Sequence, residues 1–261
     1  MKHLLKQFIH ALFDLLGYNI AIGNNKRSSH IVVNRFVWEP FTAPNPILKL
    51  YLNAQSQSRN EANDNFYKQL RYYSLHQIIR HVVSNKIPGD IAECGVWKGH
   101  SAFIIASIFA SSNQPKEFHI FDSFEGGLSA KVPEDKAVVR PLSEAQVELE
   151  KKQFSSTEAQ VQDCLKSFPF IHLHSGWIPQ RFSAVENKQF CFVHIDVDLF
   201  EPTRDSLNFF WPKLVPGGAI VVDDYSLSQF PGCKAAVDKF LSQTTVHMFY
   251  EVPLGACFII K

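Results

Sequence analysis

The sequence predicts an α/β protein built on a mostly parallel β-sheet. After Pro88, short apolar runs alternate with stretches of helical periodicity, which is typical of consecutive β-α-β units. Glycine and proline separate several of these runs, for example at Pro216-Gly217-Gly218. Acidic residues follow some of the runs, at the strand ends where open α/β sheets bind their ligands.

The predicted strands and helices alternate along the chain. Six or seven strands are predicted, at Asp90–Cys94, Glu117–Phe121, Phe170–His174, Phe190–Asp198, Ala219–Val222, Val246–Tyr250 and Ala256–Lys261. Helices are predicted at Phe66–Val83, Gly99–Phe109, Pro202–Pro212 and Gly232–Ser242. The polar stretch from Ser123 to Leu142 is too long for a simple turn, so we predict a lid there, followed by a helix that ends near Lys166.

Residues 1–65 are predicted to be an appendage of the domain formed by residues 66–261. Apolar residues recur at helical spacing from Leu5 to Leu16, which predicts an amphipathic helix. We expect its apolar face to pack on the domain or on a second subunit, with membrane-surface attachment or a signal peptide as the alternatives. Residues 18–65 are predicted to be irregular, because they are mostly polar and contain three prolines.

The composition indicates one large core and no strong charge. The chain has 261 residues, 46% of them hydrophobic, and its 26 Lys and Arg against 25 Asp and Glu leave a net charge of +1. Because no broad positive field attracts a polyanion, nucleic acid is not expected as the main partner. Five scattered cysteines without a C-x-x-C pair indicate free thiols in a reducing cytoplasm. No apolar run reaches the roughly 18 residues that a membrane span needs.

The first candidate site is the loop between the first strand and the first helix, Glu93-Cys-Gly95-Val-Trp-Lys-Gly99. Glycine at such a turn allows a ligand to approach the backbone closely. Valine and tryptophan stand where a dinucleotide fingerprint needs a glycine, so the loop favours a cofactor without phosphates, such as S-adenosylmethionine. A purely structural turn remains the alternative.

The second candidate is Asp122, which ends the second strand, with Ser123 beside it. An acid at this position of an α/β fold commonly hydrogen-bonds the two hydroxyls of a ribose. The alternative is that Asp122 caps the following turn, and the two roles are compatible.

The strongest local signal is the segment His194-Ile-Asp-Val-Asp198. Residues two apart on a strand point the same way, so His194, Asp196 and Asp198 are predicted to share one face. Asp223 and Asp224 close the next predicted strand, also after an apolar run. Parallel strands would therefore place four carboxylates at one edge of the sheet.

Four neighbouring carboxylates repel one another unless a cation lies among them. An all-oxygen ligand set favours a hard ion such as Mg²⁺, with Mn²⁺ or Ca²⁺ possible, and disfavours zinc. The alternative is that the aspartates pair with Arg204, Lys213 or helix N-termini. His194 is interpreted as a structural residue of its strand, as are His119, His172 and His174.

Taken together, these residues resemble the macrocin O-methyltransferase family of metal-dependent sugar methyltransferases from antibiotic tailoring. The resemblance covers residues 87 to 240, with the matching stretches in the same order. They are Ile87-Pro-Gly-Asp-Ile-Ala-Glu-Cys-Gly-Val-Trp-Lys-Gly99, Phe121-Asp-Ser-Phe-Glu-Gly126, His194 to Leu214, Pro216-Gly-Gly218, Asp223-Asp-Tyr225 and Pro231-Gly-Cys-Lys-Ala-Ala-Val237.

The resemblance implies a class I methyltransferase fold, with a seven-stranded sheet whose last strand is antiparallel, and a homo-oligomer with N-terminal segments over the site. Carried over by position, Asp198 matches the proposed general base, and the metal ligands would be Asp196, Asp223 and Asp224. The residues that fall where the cofactor is expected are Glu93, Gly95, Ser101, Asp122, Ser123, Gly176 and Trp177.

Two stretches depart from the family pattern, Gly176-Trp-Ile-Pro-Gln-Arg-Phe182 and Phe200-Glu-Pro-Thr203. Both leave the chemistry in place and leave the acceptor open. The expected reaction moves a methyl group from S-adenosylmethionine to a hydroxyl of a sugar or glycosylated natural product. The alternatives are a catechol-like phenol as acceptor, a non-catalytic binding protein of the same fold, and a nicotinamide-dependent oxidoreductase, which the absent G-x-G-x-x-G pattern disfavours.

Overall fold

The computed structural model describes residues 9, 11–13, 18–22, 31–35, 46–60, 66–125, 127–136, 154–252 and 255–261. The chain divides into two compact units, residues 1–49 and 50–261, whereas the sequence predicts a boundary after residue 65. Among the described residues, no helix is long and apolar enough to cross a membrane. Most of the predicted amphipathic helix lies outside the described residues, which include helical residues at 9 and 11–13.

The first unit contains a β-hairpin, in which β1 (Tyr18–Ile22) pairs antiparallel with β2 (Ile31–Arg35). Helix α1 (Pro46–Gln57) follows and buries Tyr51, Ala54 and Gln55. The prediction that this part of the chain is irregular is therefore wrong for these three elements. The β-branched residues of the two short runs favour strands, and a proline is tolerated in the first turn of a helix.

The second unit is built on a seven-stranded sheet. Its strands are β3 (Asp90–Cys94), β4 (Phe118–Asp122), β5 (Ile171–Ser175), β6 (Phe190–Ile195), β7 (Leu214–Val222), β8 (Met248–Glu251) and β9 (Cys257–Ile260). They lie in the order β5-β4-β3-β6-β7-β9-β8, and β9 runs antiparallel to both of its neighbours. The remaining pairs are parallel, so the predicted fold class is confirmed.

Helices and 3₁₀ turns connect the strands. Besides residues 50–57 of α1, the helices described in this unit are α2 (Phe66–Ser84), α3 (His100–Ala110), α4 (Glu158–Leu165), α5 (Phe200–Lys213) and α6 (Pro231–Gln243). Thr157 caps α4 in a capping box with Gln160, and Pro231 stands at the start of α6, where a missing N–H costs nothing. The predicted lid contains a 3₁₀ turn at Pro133–Asp135, and its residues beyond 136 lie outside the described part.

The core lies between the sheet and its helices. All six residues of β6 are buried, as are the last five of β7, which explains why both strands are continuous apolar runs. Phe210 of α5 packs edge-on against Phe121, Phe182 and Phe190. This packing joins α5 to β4, to the start of β6 and to the turn that contains Phe182.

Two strand boundaries differ from the prediction. Strand β6 ends at Ile195 rather than at Asp198, so the last three residues leave the sheet. Strand β7 begins at Leu214 and includes the predicted turn Pro216-Gly217-Gly218, where its register with β6 shifts. A bulge of this kind absorbs glycine and proline without ending the strand.

Candidate functional site

The candidate site lies at the carboxyl ends of the neighbouring strands β4, β3, β6 and β7. Residues at or after the ends of β3, β4, β5 and β6 line a cavity of about 340 Å³, and the acids that follow β7 lie outside that lining. Its lining includes seven residues that the sequence singled out, namely Gly95, Asp122, Ser123, Gly176, Trp177, Asp196 and Asp198. The structure therefore brings the predicted cofactor loop and part of the acidic segment to one cavity.

Gly95 is fixed by the contact between two loops. Its backbone has φ of +79°, and a Cβ atom there would lie 1.9 Å from the carbonyl oxygen of Asp196. Its N–H donates to the carbonyl of Phe121 at 2.8 Å. Because only glycine fits this geometry, the loop after β3 can lie directly on the loop after β6.

Asp122 joins the ends of β3 and β4. Its Oδ2 accepts from the backbone N–H groups of Val96 and Trp97, at 2.9 and 3.2 Å, and its Oδ1 accepts from Phe124 at 3.0 Å. The capping role that the sequence allowed is therefore present. The carboxylate also lines the cavity, so its predicted contact with a ribose remains a compatible prediction.

Gly176 and Trp177 reach the cavity from the end of β5. The N–H of Gly176 donates to the carbonyl of Asp122 at 2.9 Å, and the indole Nε1 of Trp177 donates to Glu125 at 3.0 Å. Glu93 and Ser101 are both buried, and neither is among the described residues that line the cavity. Their contact with a cofactor remains a prediction.

Glu93 and His194 form a buried pair beneath the cavity. They are partners in the register of β3 and β6, and Glu93 Oε1 lies 2.8 Å from His194 Nδ1. Burial alone would lower the pKa of His194, but the hydrogen bond and charge of Glu93 outweigh it and raise the pKa to about 9. The interpretation of His194 as a structural residue agrees with this pairing.

Asp196, Asp198 and Asp224 converge, with one carboxylate oxygen of each lying within 4.8 Å of the others. Asp198 and Asp224 are buried, and Oδ2 of Asp224 has no hydrogen-bond partner among the described residues. Burial raises the pKa of Asp224 well above its ordinary value, and the charges of Asp198 and Asp223 raise it further. A buried acidic group of this composition fits a hard divalent cation.

The prediction that His194, Asp196 and Asp198 share one face of a strand is wrong. Asp196 and Asp198 follow the end of β6. Asp198 has a φ of +60°, which lies outside the range of β-strand backbone. The two carboxylates converge in the loop after β6, whose first residue still continues the ladder with β3, because the N–H of Asp196 donates to the carbonyl of Cys94 at 2.9 Å.

Asp223 lies beside this group and is paired with Arg71. Nη1 of Arg71 is 2.6 Å from Oδ2 of Asp223 and 3.5 Å from Oδ1 of Asp224. The alternative partners considered from the sequence bind elsewhere, because Arg204 contacts Asp205 and Lys213 contacts Glu186. The role of Asp223 as a metal ligand remains a prediction.

The sequence reasoning gave no site role to several residues around the cavity, although Trp97 lies in the candidate loop that it named. Trp97, with φ of +44°, lines the cavity together with Phe154 and Leu128 on the apolar side and with Glu201 and Asp205 on the polar side. A left-handed tryptophan gives no periodic signal, and the two acids resemble ordinary helix surface residues. Arg71 was missed because it lies on a helix that is far from the acids in sequence.

The other strand histidines lie away from the cavity. His119 of β4 stacks on His172 and His174 of β5, and its Nδ1 is 3.0 Å from Nε2 of His174. Burial, together with the charge of Lys188, lowers the pKa of His119 to about 4. These contacts agree with a structural interpretation of the three histidines.

The strand order, the antiparallel β9 and the position of the cavity define the class I methyltransferase fold. The chain belongs to the macrocin O-methyltransferase (TylF) family, whose model matches residues 47–251. The family suggested by the sequence motifs is thereby confirmed.

Two curated relatives of the chain are O-methyltransferases. The chain is 27% identical to the demethyldecarbamoylnovobiocin O-methyltransferase of Streptomyces niveus over 65% of this chain and 64% of that protein. It is 26% identical to a rhamnosyl-tetracenomycin-C 4'-O-methyltransferase of Streptomyces olivaceus, again over 65% and 64% of the two chains. The matched region thus spans slightly less than two thirds of these relatives.

Two solved structures share the fold. The O-methyltransferase NovP superposes with a TM-score of 0.62 at 20% identity, covering 82% of this chain and 98% of that one. The calicheamicin methyltransferase CalS11 superposes with a TM-score of 0.54 at 18% identity, covering 82% and 91%. At these identities the likeness establishes the fold.

Proposed function

We propose that this protein is an O-methyltransferase that moves a methyl group from S-adenosylmethionine to a hydroxyl of a sugar or glycosylated natural product, with the help of Mg²⁺ or another hard divalent ion. The observation that carries the proposal is the convergence of Asp196, Asp198 and Asp224 beside the cavity that Gly95 and Asp122 line. Family membership and the acceptors named for the relatives support the substrate class.

When bound, S-adenosylmethionine supplies an activated methyl group, and the divalent ion supplies positive charge that acidifies the acceptor hydroxyl. Asp196, Asp223 and Asp224 would hold the ion. Asp122 and the loop after β3 would hold the ribose of the cofactor, next to the strand ends. The cofactor and the acidic group then lie on one rigid edge of the sheet.

Asp198 takes the proton of the acceptor hydroxyl on a carboxylate oxygen. It is 7% exposed and lines the cavity, so it can reach a bound hydroxyl from a dry position. An ordinary aspartate, with a pKa of about 3.9, is a weak base toward a sugar hydroxyl, which is why positive charge beside that hydroxyl is needed.

Other residues position these groups and exclude water. The buried Glu93–His194 pair anchors the end of β6, from which Asp196 and Asp198 extend. Trp97, Phe154 and Leu128 give the cavity apolar walls. Methyl transfer is an in-line displacement, so the acceptor oxygen has to be held close to the methyl group and away from competing water.

The test is a methyl-transfer assay with S-adenosylmethionine, Mg²⁺ and a panel of deoxysugar conjugates and catechols. We expect turnover on a sugar conjugate, its loss in EDTA, and a kcat about 10² to 10⁴ times lower for Asp198→Asn with cofactor affinity retained. Asp163→Asn, at a half-exposed acid that contacts only exposed cationic side chains, is the matched control. Full activity in EDTA would contradict the metal requirement, and transfer only to catechols would contradict the sugar acceptor.

We also propose a cytoplasmic homo-oligomer. All five cysteines are buried free thiols, which suits a reducing compartment. The homo-oligomer follows the family resemblance, and light scattering on the purified chain tests it. A monomer at micromolar concentration would contradict this part of the proposal.

A further inference from the structure

Arg71 of α2 carries a guanidinium into the acidic site. Its Nη1 lies 2.6 Å from Asp223 and 3.5 Å from Asp224, and its side chain is 20% exposed. Gly255 makes room for it, because a Cβ atom at that residue would lie 2.8 Å from Cδ of Arg71. The contact joins residues 152 positions apart, so it is a product of the tertiary fold.

At the acidic site, carboxylates outnumber the guanidinium of Arg71. Four carboxylates, those of Asp196, Asp198, Asp223 and Asp224, lie at the site, and the Arg71 guanidinium contacts two of them. Asp223 and Asp224 are adjacent in sequence and both contact the same guanidinium. Without that positive charge, the buried acids would repel one another and destabilise the folded chain.

We propose that Arg71 is a built-in counter-cation of the acidic site, which stabilises Asp223 and Asp224 when no divalent ion is bound and weakens the binding of that ion. The inference rests on the proposed function for the existence of an ion-binding step. A guanidinium and a divalent ion that share two carboxylates repel each other over a few ångströms in a partly buried site. Arg71 therefore keeps the ion-free chain folded and keeps the ion exchangeable.

The test measures Mn²⁺ affinity by isothermal titration, on the full chain without cofactor or acceptor. We expect Arg71→Met to bind Mn²⁺ at least about tenfold more tightly than the wild type, because a neighbouring positive charge is removed. Arg71→Lys keeps the charge and is expected to stay within about threefold of the wild type. Arg80→Met, at an exposed arginine of the same helix, is the matched control and should leave the affinity unchanged.

A merely structural role for Arg71 predicts the opposite change in Mn²⁺ affinity, because a disturbed site binds its ion more weakly. Equal or weaker Mn²⁺ binding by Arg71→Met would therefore overturn the inference. If that variant does not fold without ion, Arg71→Gln, which keeps hydrogen-bond donors but not the charge, is titrated instead with the same expectation.

The outcomes separate this inference from the proposed function. Normal Mn²⁺ binding by the wild type, with no tightening in the uncharged variants, would overturn the role of Arg71 and leave the proposed metal dependence standing. Absence of Mn²⁺ binding in the wild type and in both uncharged variants would overturn the two together. A second readout is thermal unfolding. Without ion, Arg71→Met should have a lower Tm than the wild type, and added Mn²⁺ should raise the Tm of the variant by more than that of the wild type.

Discussion

At the scale of single residues, Gly95 and Asp122 each combine a structural contact with a place in the cavity lining. Gly95 lets the loop after β3 touch the carbonyl of Asp196, and Asp122 accepts three backbone N–H groups. A sequence pattern predicts that such residues bind a cofactor, but the same residues also hold the loops that form the site. Their substitution is therefore expected to affect folding and binding together.

Substitution of Gly95 tests this point. We expect Gly95→Ala to lower the free energy of unfolding by about 3 kcal/mol, because the methyl group adds a clash with Asp196 to an unfavourable positive φ. Gly217→Ala is the control, since Gly217 has φ of +80° but its Cβ would meet only the flexible end of Ile87, at 3.1 Å. That change should cost about 1 kcal/mol. Equal losses in urea unfolding would show that the loop contact contributes nothing.

At the scale of elements, the loops after β6 and β7 decide the chemistry of the site. Strand periodicity predicts one shared face for His194, Asp196 and Asp198, yet β6 ends at Ile195. His194 therefore turns to Glu93 within the sheet, while the two aspartates join Asp224 above it. The buried Glu93–His194 pair and the converging acidic group are therefore separated at one strand end.

The histidines of β4 and β5 predict a pH dependence of folding. Burial lowers the pKa of His119 to about 4, below its ordinary value of 6.5, so the unfolded chain takes up this proton first as the pH falls. The stabilising effect of neutral His119 is thus present above pH 6.5 and is lost as the pH falls through that range toward 4. The groups that face it are Lys188, His172, His174 and Asp90.

Denaturant unfolding between pH 7 and pH 4 measures this effect. His119→Phe should lose less stability than the wild type over that range, by on the order of 2 kcal/mol, because it has no proton to take up. The exposed His247 provides the control substitution, His247→Phe, whose pH profile should follow that of the wild type. Parallel profiles for His119→Phe and the wild type would contradict the prediction.

At the scale of the whole molecule, the sheet brings distant segments to one edge. Parallel strands β4, β3, β6 and β7 all end there, and the cavity, the acidic group and Arg71 lie beside those ends. The proposed ion binding would therefore be coupled to the folded state, since the unfolded chain cannot gather Asp196, Asp198 and Asp224.

Thermal unfolding tests this coupling. Mn²⁺ at about 100 times its Kd should stabilise the wild type by about 2.7 kcal/mol, which raises the Tm of a chain of this size by several degrees. Asp224→Asn should lose most of this rise, because Asp224 belongs to the converging group. A surface variant, Asp163→Asn, should keep the rise in Tm. The same rise in all three proteins would indicate non-specific binding.

The sequence alone determined the features that depend on local patterns. The alternation of apolar runs and helices predicted the α/β fold, and the order of short motifs predicted the family, which the match over residues 47–251 confirmed. A buried strand is an apolar run in the sequence, and a cofactor loop requires particular residues. Both features are therefore visible as local sequence patterns. The acids that close β6 and β7 were visible in the same way.

Only the tertiary structure decided which of these residues meet. The pairing of Arg71 with Asp223 and of Glu93 with His194 joins segments 152 and 101 residues apart, and no local periodicity encodes it. The hairpin and helix before residue 60 were missed because their short apolar runs lie within a mostly polar segment that contains three prolines. A sequence pattern indicates which face of an element is buried, but a contact between charges depends on where the fold places two distant elements.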